Sequence, residues 1–568
     1  MRLIPRYFLY IFLLIMMLSC RNSPSPRDNK PNVDSPRQQV SGGVAEEIRS
    51  LTESGILSSM IQAMDTIRSR NLSGVDFGRM MNGINTLIIR LVYPDTLVRL
   101  PAVDLPQTYR YTRIIREGEK GVYLKPSENS TDFFEHILPF LAVTNSPAGQ
   151  MPADISPQDV LRDLDKAGEL RPNSILPLFF RGLLHERLNQ YTDAERAYRR
   201  VYGISEECYP AMIGIARLRR LTGNTAESVA SFSDLIIRYP DSREIKRQLA
   251  VSLYEARDWS RALPAIDEIL QSDSRDGDFL LMRASILIEQ GNFSQANTTL
   301  DSYAPINPNN RLYLYLRARV QAEGNRNRDS ALNYLRSILR SSPNDEEALI
   351  LAVSLLMESS RPADQTEGRE LLERLRRLNG SSVSVLSLSL REAVRRESWQ
   401  EAQGFLNRIL ASRRTVQDLT DGYLIERNLR NNARALSFAR ELYDRDNGNN
   451  EYAVTYISAL IDNGRRDEAM RLIESRISSV ARGALLSRFY FLRSRLQTND
   501  EAISSDLRSS IFEDPRNLEA NIALFEFHNR RREERRAAHY LKQAIAIAPD
   551  NPVVRRYERE YAALLGRN

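Results

Sequence analysis

Between Ile175 and Pro343, small and large apolar residues return at a fixed step of 34. Gly182, Ala216, Ala250, Ala284 and Ala318 keep that step, as do Ala194, Ser228, Ala262 and Ala296. A third series, Tyr198, Phe232, Ile266 and Leu300, follows one helical turn behind the second. That offset puts each large residue beyond a small one on the same helical face. The first series predicts mid-helix positions where two helices cross so closely that little beyond a Cβ fits. Polar turns separate the two helices of a unit: Leu188-Asn189-Gln190-Tyr191, Thr222-Gly223-Asn224, Arg257-Asp258-Trp259 and Gln290-Gly291-Asn292-Phe293. Gly and Asn there suit a helix end. Pro240-Asp241, Pro308-Asn309 and Pro343-Asn344-Asp345 close units, since proline stops one helix and Asn or Asp can cap the next. The predicted unit is helix, turn, helix, stop.

The step is best kept over 175–345, loosens over 346–450 and returns over 451–552. Ala352 with Leu372, Ala402 with Leu406 and Ala435 with Ala439 mark the loose units; Ile457, Ala469 and Ile473 mark the return. Counting from Ile175 gives roughly eleven units. Residues 131–174 read as a degenerate first unit, Asp132–Ala142 with Val160–Pro172, carrying an insertion around Pro147–Pro157. Residues 553–568 read as a last helix with Arg555, Arg556, Arg559 and Glu560 outward, suited to covering an open end. Residues 45–130 break the pattern. Ile48, Leu51, Ile56, Met60, Met64 and Ile67 fall on one helical stripe, and Phe77, Met80, Met81, Ile84, Leu87 and Ile88 on another. Weak alternation at Tyr109–Ile115, with Gly121–Leu124 as partner, predicts a small hairpin.

This pattern resembles the tetratricopeptide repeat (TPR) family. One matching set is Ala216, Ser228, Phe232 and Pro240, with Ser in place of the family's second alanine. The Trp that opens the family's pattern is replaced by Leu178, Met212, Lys246, Leu280 and Leu314. The resemblance implies an all-α helix-turn-helix solenoid, wound as a right-handed superhelix, with a short, mostly helical N-terminal segment. It also implies recognition of proteins or peptides in a concave groove lined by the first helix of each repeat. The matching positions are Phe179, Ile213, Arg217, Arg220, Arg247, Tyr254, Leu281, Tyr315 and Arg319. The Lys and Asn set with which some family members clamp a terminal carboxylate is absent; arginine and aromatic residues, enriched at binding hot spots, stand there instead.

The stretch from Met1 to Cys20 changes where such a protein is expected to work. Arg2 and Arg6 precede the apolar run Tyr7–Leu18, which is too short to span a bilayer comfortably. Met17-Leu18-Ser19-Cys20 resembles the bacterial lipobox, whose cysteine is lipidated and becomes the new N-terminus. Acylated Cys20 would give stable anchoring. Arg21 follows where an Asp would mark inner-membrane retention, which favours the outer membrane. Residues 21–44 carry Pro24, Pro26, Pro31 and Pro36 and almost no large apolar side chain, so a disordered tether of at most about 80 Å is expected.

Composition adds little about chemistry. The net charge of +6 is small for 568 residues, and its basic side is nearly all arginine. Compositional bias explains that, and an anionic partner is the alternative. His136, His185, His528 and His539 form no metal spacing, and Cys208 has no partner once Cys20 is lipidated. No phosphate loop or nucleophile elbow occurs. The clusters Arg374–Arg377, Arg530–Arg532 and Arg535–Arg536 are interleaved with acids and read as solvated helix faces, not as a nucleic-acid surface. The sequence therefore predicts no enzyme, no cofactor and no metal. It predicts a lipid-anchored scaffold on the periplasmic side of a bacterial envelope, binding other envelope proteins or peptides in assembly or cell-wall machinery. Two alternatives stand beside it: a surface-exposed lipoprotein contacting host or neighbouring cells, and a regulatory subunit of a peptidoglycan or glycan enzyme. In the last, residues 45–130 are the contact module, removable without unfolding the repeats.

Overall fold

The computed structural model describes residues 41–565 except 97 and 148–149. Cys20, the lipobox and residues 21–40 of the expected tether lie outside the described residues. Helices make up 74% of the described residues and no strand forms among them, so the fold is all-α. The chain divides into two compact units, Met1–Pro308 and Asn309–Asn568.

In the first unit the repeats are the helix pairs Leu176–Arg187 with Tyr191–Ile204, and Tyr209–Leu221 with Thr225–Arg238. Arg243–Glu255 with Trp259–Ser272, and Gly277–Glu289 with Phe293–Tyr303, complete the set. The sequence registers are core: Ala250, Ala284, Ala194, Ala262 and Ala296 are fully buried, as are Tyr198, Phe232, Ile266 and Leu300. Ser228, the odd member of the second register, is also fully buried, and its Oγ lies 3.0 Å from the Oγ of Ser252. A buried hydroxyl is tolerated because it has this partner. Ser242 and Asp276, one repeat step apart, cap first helices by accepting from the backbone N–H of Ile245 and Phe279.

The turn inside each repeat has its own periodic marker, a left-handed residue at Asn189, Gly223, Arg257 and Gly291 (φ 58°, 89°, 57° and 73°). Two glycines and an asparagine adopt this conformation easily, whereas Arg257 does so at a cost of roughly 1 kcal/mol. Arg257→Gly is therefore expected to stabilise the protein by about 0.5–1 kcal/mol in urea unfolding; a loss of stability would contradict this account of the turn.

The segment before the repeats departs from expectation in four ways. The expected single stripe is two helices, Gly42–Ser54 and Leu57–Ser69, broken at Gly55. Gly55 has φ 73°, and a Cβ on it would stand 2.5 Å from Leu176. Residues 42–44, assigned from sequence to the tether, open the first of these helices. Tyr109–Ile115 is no hairpin strand: residues 110–115 belong to the helix Arg110–Glu119, whose buried residues Tyr111, Thr112, Ile115 and Gly118 keep helical spacing.

The fourth departure matters most: residues 45–130 share one buried core with the first repeats. A continuous buried cluster runs from Ile48 through Met60, Ile84, Ile88 and Tyr93 to Phe180, Phe232 and Ile245. Polar links follow the same path. Ser174 Oγ donates to the carbonyl of Glu53 at 2.5 Å, and Ile175 N–H donates to that of Ser54. Tyr93 OH donates to the Gly55 carbonyl, and Asp95 accepts from Ser242 Oγ (2.8 Å) and Glu244 N–H (2.7 Å). The N-terminal helices thus reach the N-terminal ends of several first helices. Phe133–Ile137, Phe140–Asn145 and Pro157–Leu170 stand where the degenerate first unit was expected, with Phe140 stacked on Phe180 at 4.6 Å.

The second unit explains why the register loosens. The stretch from Ala318 to the next buried alanine, Ala331, is one residue longer than the stretch from Ala250 to Ala262. The extra residue is absorbed by a π-helical turn, Val320–Gly324, at the end of the helix Arg311–Arg319. In the next repeat the second helix, Pro362–Asn379, is 18 residues long against 14 for Arg328–Ser341. Regularity then returns in the caps: Thr415, Asn449, Gly483, Asn517 and Asn551 precede first helices at steps of 34. All but Gly483 accept backbone hydrogen bonds through their side chains. The expected last helix is two pieces, Pro552–Glu560 and Ala562–Leu565, with Tyr557 and Tyr561 each 5.1 Å from Phe525. Arg555, Arg556, Arg559 and Glu560 are exposed.

Candidate functional site

The nine groove positions divide by environment. Phe179, Ile213 and Leu281 are only 4%, 5% and 4% exposed and act as packing residues. Phe179 lies against Tyr198, with ring centres 5.8 Å apart. These three are corrected from candidate contacts to core, because neighbouring helices close over that part of the first-helix face.

The arginines of the first unit have partners in neighbouring repeats. Arg217 grips Glu186 on the preceding first helix with both arms of its fork, at 2.5 and 2.8 Å. Burial works against the charge of Arg217, yet Glu186 holds it above its ordinary pKa. Arg220 reaches Glu255 on the following first helix at 2.7 Å. Arg247 reaches Asp276, the next cap, at 2.5 Å and lies 4.6 Å from the centre of the Phe279 ring. Tyr254 donates to Ser285 Oγ at 3.0 Å and leans on Trp259. The expectation that this groove offers its arginines to a partner is thereby corrected: they staple one repeat to the next. This also supplies a reason for arginine over lysine, since a planar fork can hold two acceptors on an adjacent helix.

In the second unit Tyr315 is half-buried under Arg311, 5.4 Å from its ring centre. Arg311 itself binds Asp345 and Glu347, and its hydrogen bond holds the Asp345 carboxyl below the usual range. Arg319 binds Glu323 one turn on, at 2.7 and 3.0 Å.

Further along this unit, equivalent first-helix positions form a cluster that sequence reasoning missed. Arg427 and Arg495 stand at the same offset from their cap positions, Thr415 and Gly483. They lie 3.3 and 3.0 Å from the same carboxylate, Asp462. Tyr423 sits under Arg427 at 5.9 Å, and burial raises its pKa. Leu424 is 40% exposed beside them. Arg391, on the helix Val383–Arg395, is exposed and has no ion-pair partner among the described residues. Burial raises the Asp421 carboxyl nearby. Counting in steps of 34 from Arg220 misses these residues because the intervening repeats carry insertions. Counting from the caps finds them, since Arg220 keeps the same offset from its own cap position, Cys208.

Other polar groups are structural. Cys208 is fully buried, and burial pushes its thiol up to about 11. His185 and His528 meet Gln190 and Glu533 at 2.7 Å, and His136 Nε2 lies 3.1 Å from the Ser130 carbonyl. Among the described residues no group of three or more His, Cys, Asp or Glu is placed to hold a metal, and no helix is long and apolar enough to cross a membrane. The arginine clusters are interleaved with partners: Arg376 with Glu373, Arg531 with Asp500 and Glu533, and Arg536 with Glu533.

Comparison with known proteins supports the reading of the repeats. The family described as tetratricopeptide repeat matches at residues 179–243 and again at 253–320. No curated protein matches the chain. Among solved structures, it is similar to YrrB, titled a TPR protein with an unusual peptide-binding site. That match has 17% identity, covers 33% of this chain and 95% of that one, and has a TM-score of 0.28. It is similar to PilW, titled a widely conserved type IV pilus biogenesis factor, at 17% identity, 35% and 91% coverage and a TM-score of 0.32. It is also similar to the Cut9–Hcn1 hetero-tetramer of the APC/C, at 11% identity, 89% and 92% coverage and a TM-score of 0.34. Likeness at these scores carries no argument about partners. Residues 179–243 and 253–320 thus carry tetratricopeptide repeats, within an all-α fold whose helices pack in consecutive pairs as in a TPR-type helical solenoid.

Proposed function

We propose that this protein is a lipid-anchored scaffold that gathers other proteins of a bacterial cell envelope. The repeats point to a scaffold for protein–protein interaction, a role that is typically non-catalytic. The envelope and the anchor rest on Arg2, Arg6, the run Tyr7–Leu18 and the lipobox-like Met17–Cys20. The contact surface is the first-helix face around Arg391, Leu424, Arg427 and Arg495. One observation carries this choice: two arginines share the single carboxylate of Asp462, leaving guanidinium donors for a second one. With Leu424 exposed beside them, the surface suits an extended segment carrying an acidic residue next to an apolar one.

Two measurements test the reading. Crosslinking in the native envelope should recover a partner with the parent chain and recover it at least about tenfold less with R427S/R495S, on the order of 1.4 kcal/mol. Equal recovery would move the contact elsewhere. Cys20→Ala should release the protein from membranes; if the variant still partitions with lipid, the anchor is not Cys20.

A further inference from the structure

The two irregular repeats of the second unit leave a cleft where their internal turns meet. Its volume is about 680 Å³, and it is lined by residues 325–329 and 359–361. One wall follows the π-helical turn Val320–Gly324; the other precedes the long helix Pro362–Asn379. The departures from the regular repeat step therefore fall at the two turns that wall this cleft, away from the first-helix faces of the scaffold reading.

The cleft holds more donors than acceptors. The guanidinium of Arg326 has no hydrogen-bond or ion-pair partner among the described residues, and neither has the hydroxyl of Ser360. Arg328 gives one N–H to the Glu358 carbonyl at 3.4 Å and keeps the rest. The side-chain oxygen of Asn327 accepts from Ser330 N–H, so its NH2 group remains. The only carboxylate lining the cleft, Asp329, is held by Arg361 at 2.5 Å, and Arg361 is itself fixed by Asp364 at 2.7 Å. Asp364 in turn accepts from Ser359 Oγ at 2.6 Å. Arg361 and Asp329 thus tie the two walls together, while Arg326, Arg328 and Ser360 keep solvent-facing donors that no protein acceptor occupies. Several arginine and hydroxyl donors around one space match the three or four oxygens of a phosphate or sulfate.

We propose that this cleft binds a phosphate or sulfate group, either as the free anion or carried on a sugar. The full chain is titrated calorimetrically with inorganic phosphate, inorganic sulfate, glucose 6-phosphate and glucose, at constant ionic strength set with chloride. Saturable binding of one anion per chain is expected, weakened at least tenfold in R326S/R328S. Both replaced side chains reach solvent, and circular dichroism checks that the variant keeps its fold. Tighter binding of glucose 6-phosphate than of phosphate identifies a sugar-borne group; equal binding identifies the free anion. Equal affinity of parent and variant, or no binding to the parent up to about 10 mM, overturns the proposal. Because R326S/R328S leaves Arg427 and Arg495 intact, its outcome is independent of partner recovery.

Discussion

Gly182→Ala is expected to destabilise the first unit by about 1–3 kcal/mol through overpacking. Helix propensity alone predicts the opposite sign, because alanine is favoured over glycine in a helix by roughly 1 kcal/mol. The difference lies in Tyr198. A Cβ on Gly182 would stand 2.5 Å from its ring, and a Cβ on Gly214 would stand 2.6 Å from the ring's other edge. The ring is therefore held between two glycines on consecutive first helices. It cannot simply turn aside, since its hydroxyl donates to Glu186 at 3.0 Å and Glu186 holds Arg217. Adding Tyr198→Leu to Gly182→Ala should recover part of the loss. Urea unfolding of the two single variants and the double variant measures the coupling. A Gly182→Ala chain as stable as its parent would show that the close approach is not what selects glycine.

Removing residues 41–130 is expected to unfold the first repeats, not to yield a trimmed scaffold. Ile48, Ile67, Ile84, Ile89 and Val92 are fully buried in the same cluster as Phe180, Phe232 and Ile245. Each such side chain contributes about 1.5–3 kcal/mol. Five of them already rival the roughly 5–15 kcal/mol by which a domain is stable at all. In hydrogen exchange, amides between residues 176 and 245 should lose protection in the truncated chain, while those of the second unit, stabilised by their own neighbours, keep it. Unchanged protection of residues 176–245 would restore the separable module expected from sequence.

The same contrast separates what was legible from what was not. The small and large registers were readable because a repeat buries the same faces each time. Their failure after Pro343 was visible, but its cause was not: a π-helical turn leaves no apolar signature. Residues 45–130 were recognised as helical in part, but nothing in a stripe of Ile and Met says which surface it covers. The repeat places Arg217, Arg220 and Arg247 on first helices but does not show that they are paired, because their acids, Glu186, Glu255 and Asp276, lie 29 to 35 residues away. Arg427 and Arg495 carry no local signal for the same reason, since their shared Asp462 lies between them on another helix.

By itself, the sequence determined the helical unit, its length, its turns and its core positions. All of these depend on local propensity and on periodicity along one chain. Only the tertiary structure decided that the N-terminal helices share the core of the first repeats, which arginines staple repeats together, and which donors meet no protein acceptor. Those outcomes depend on which distant residues meet, and a fixed repeat period sets the spacing of positions without fixing their partners.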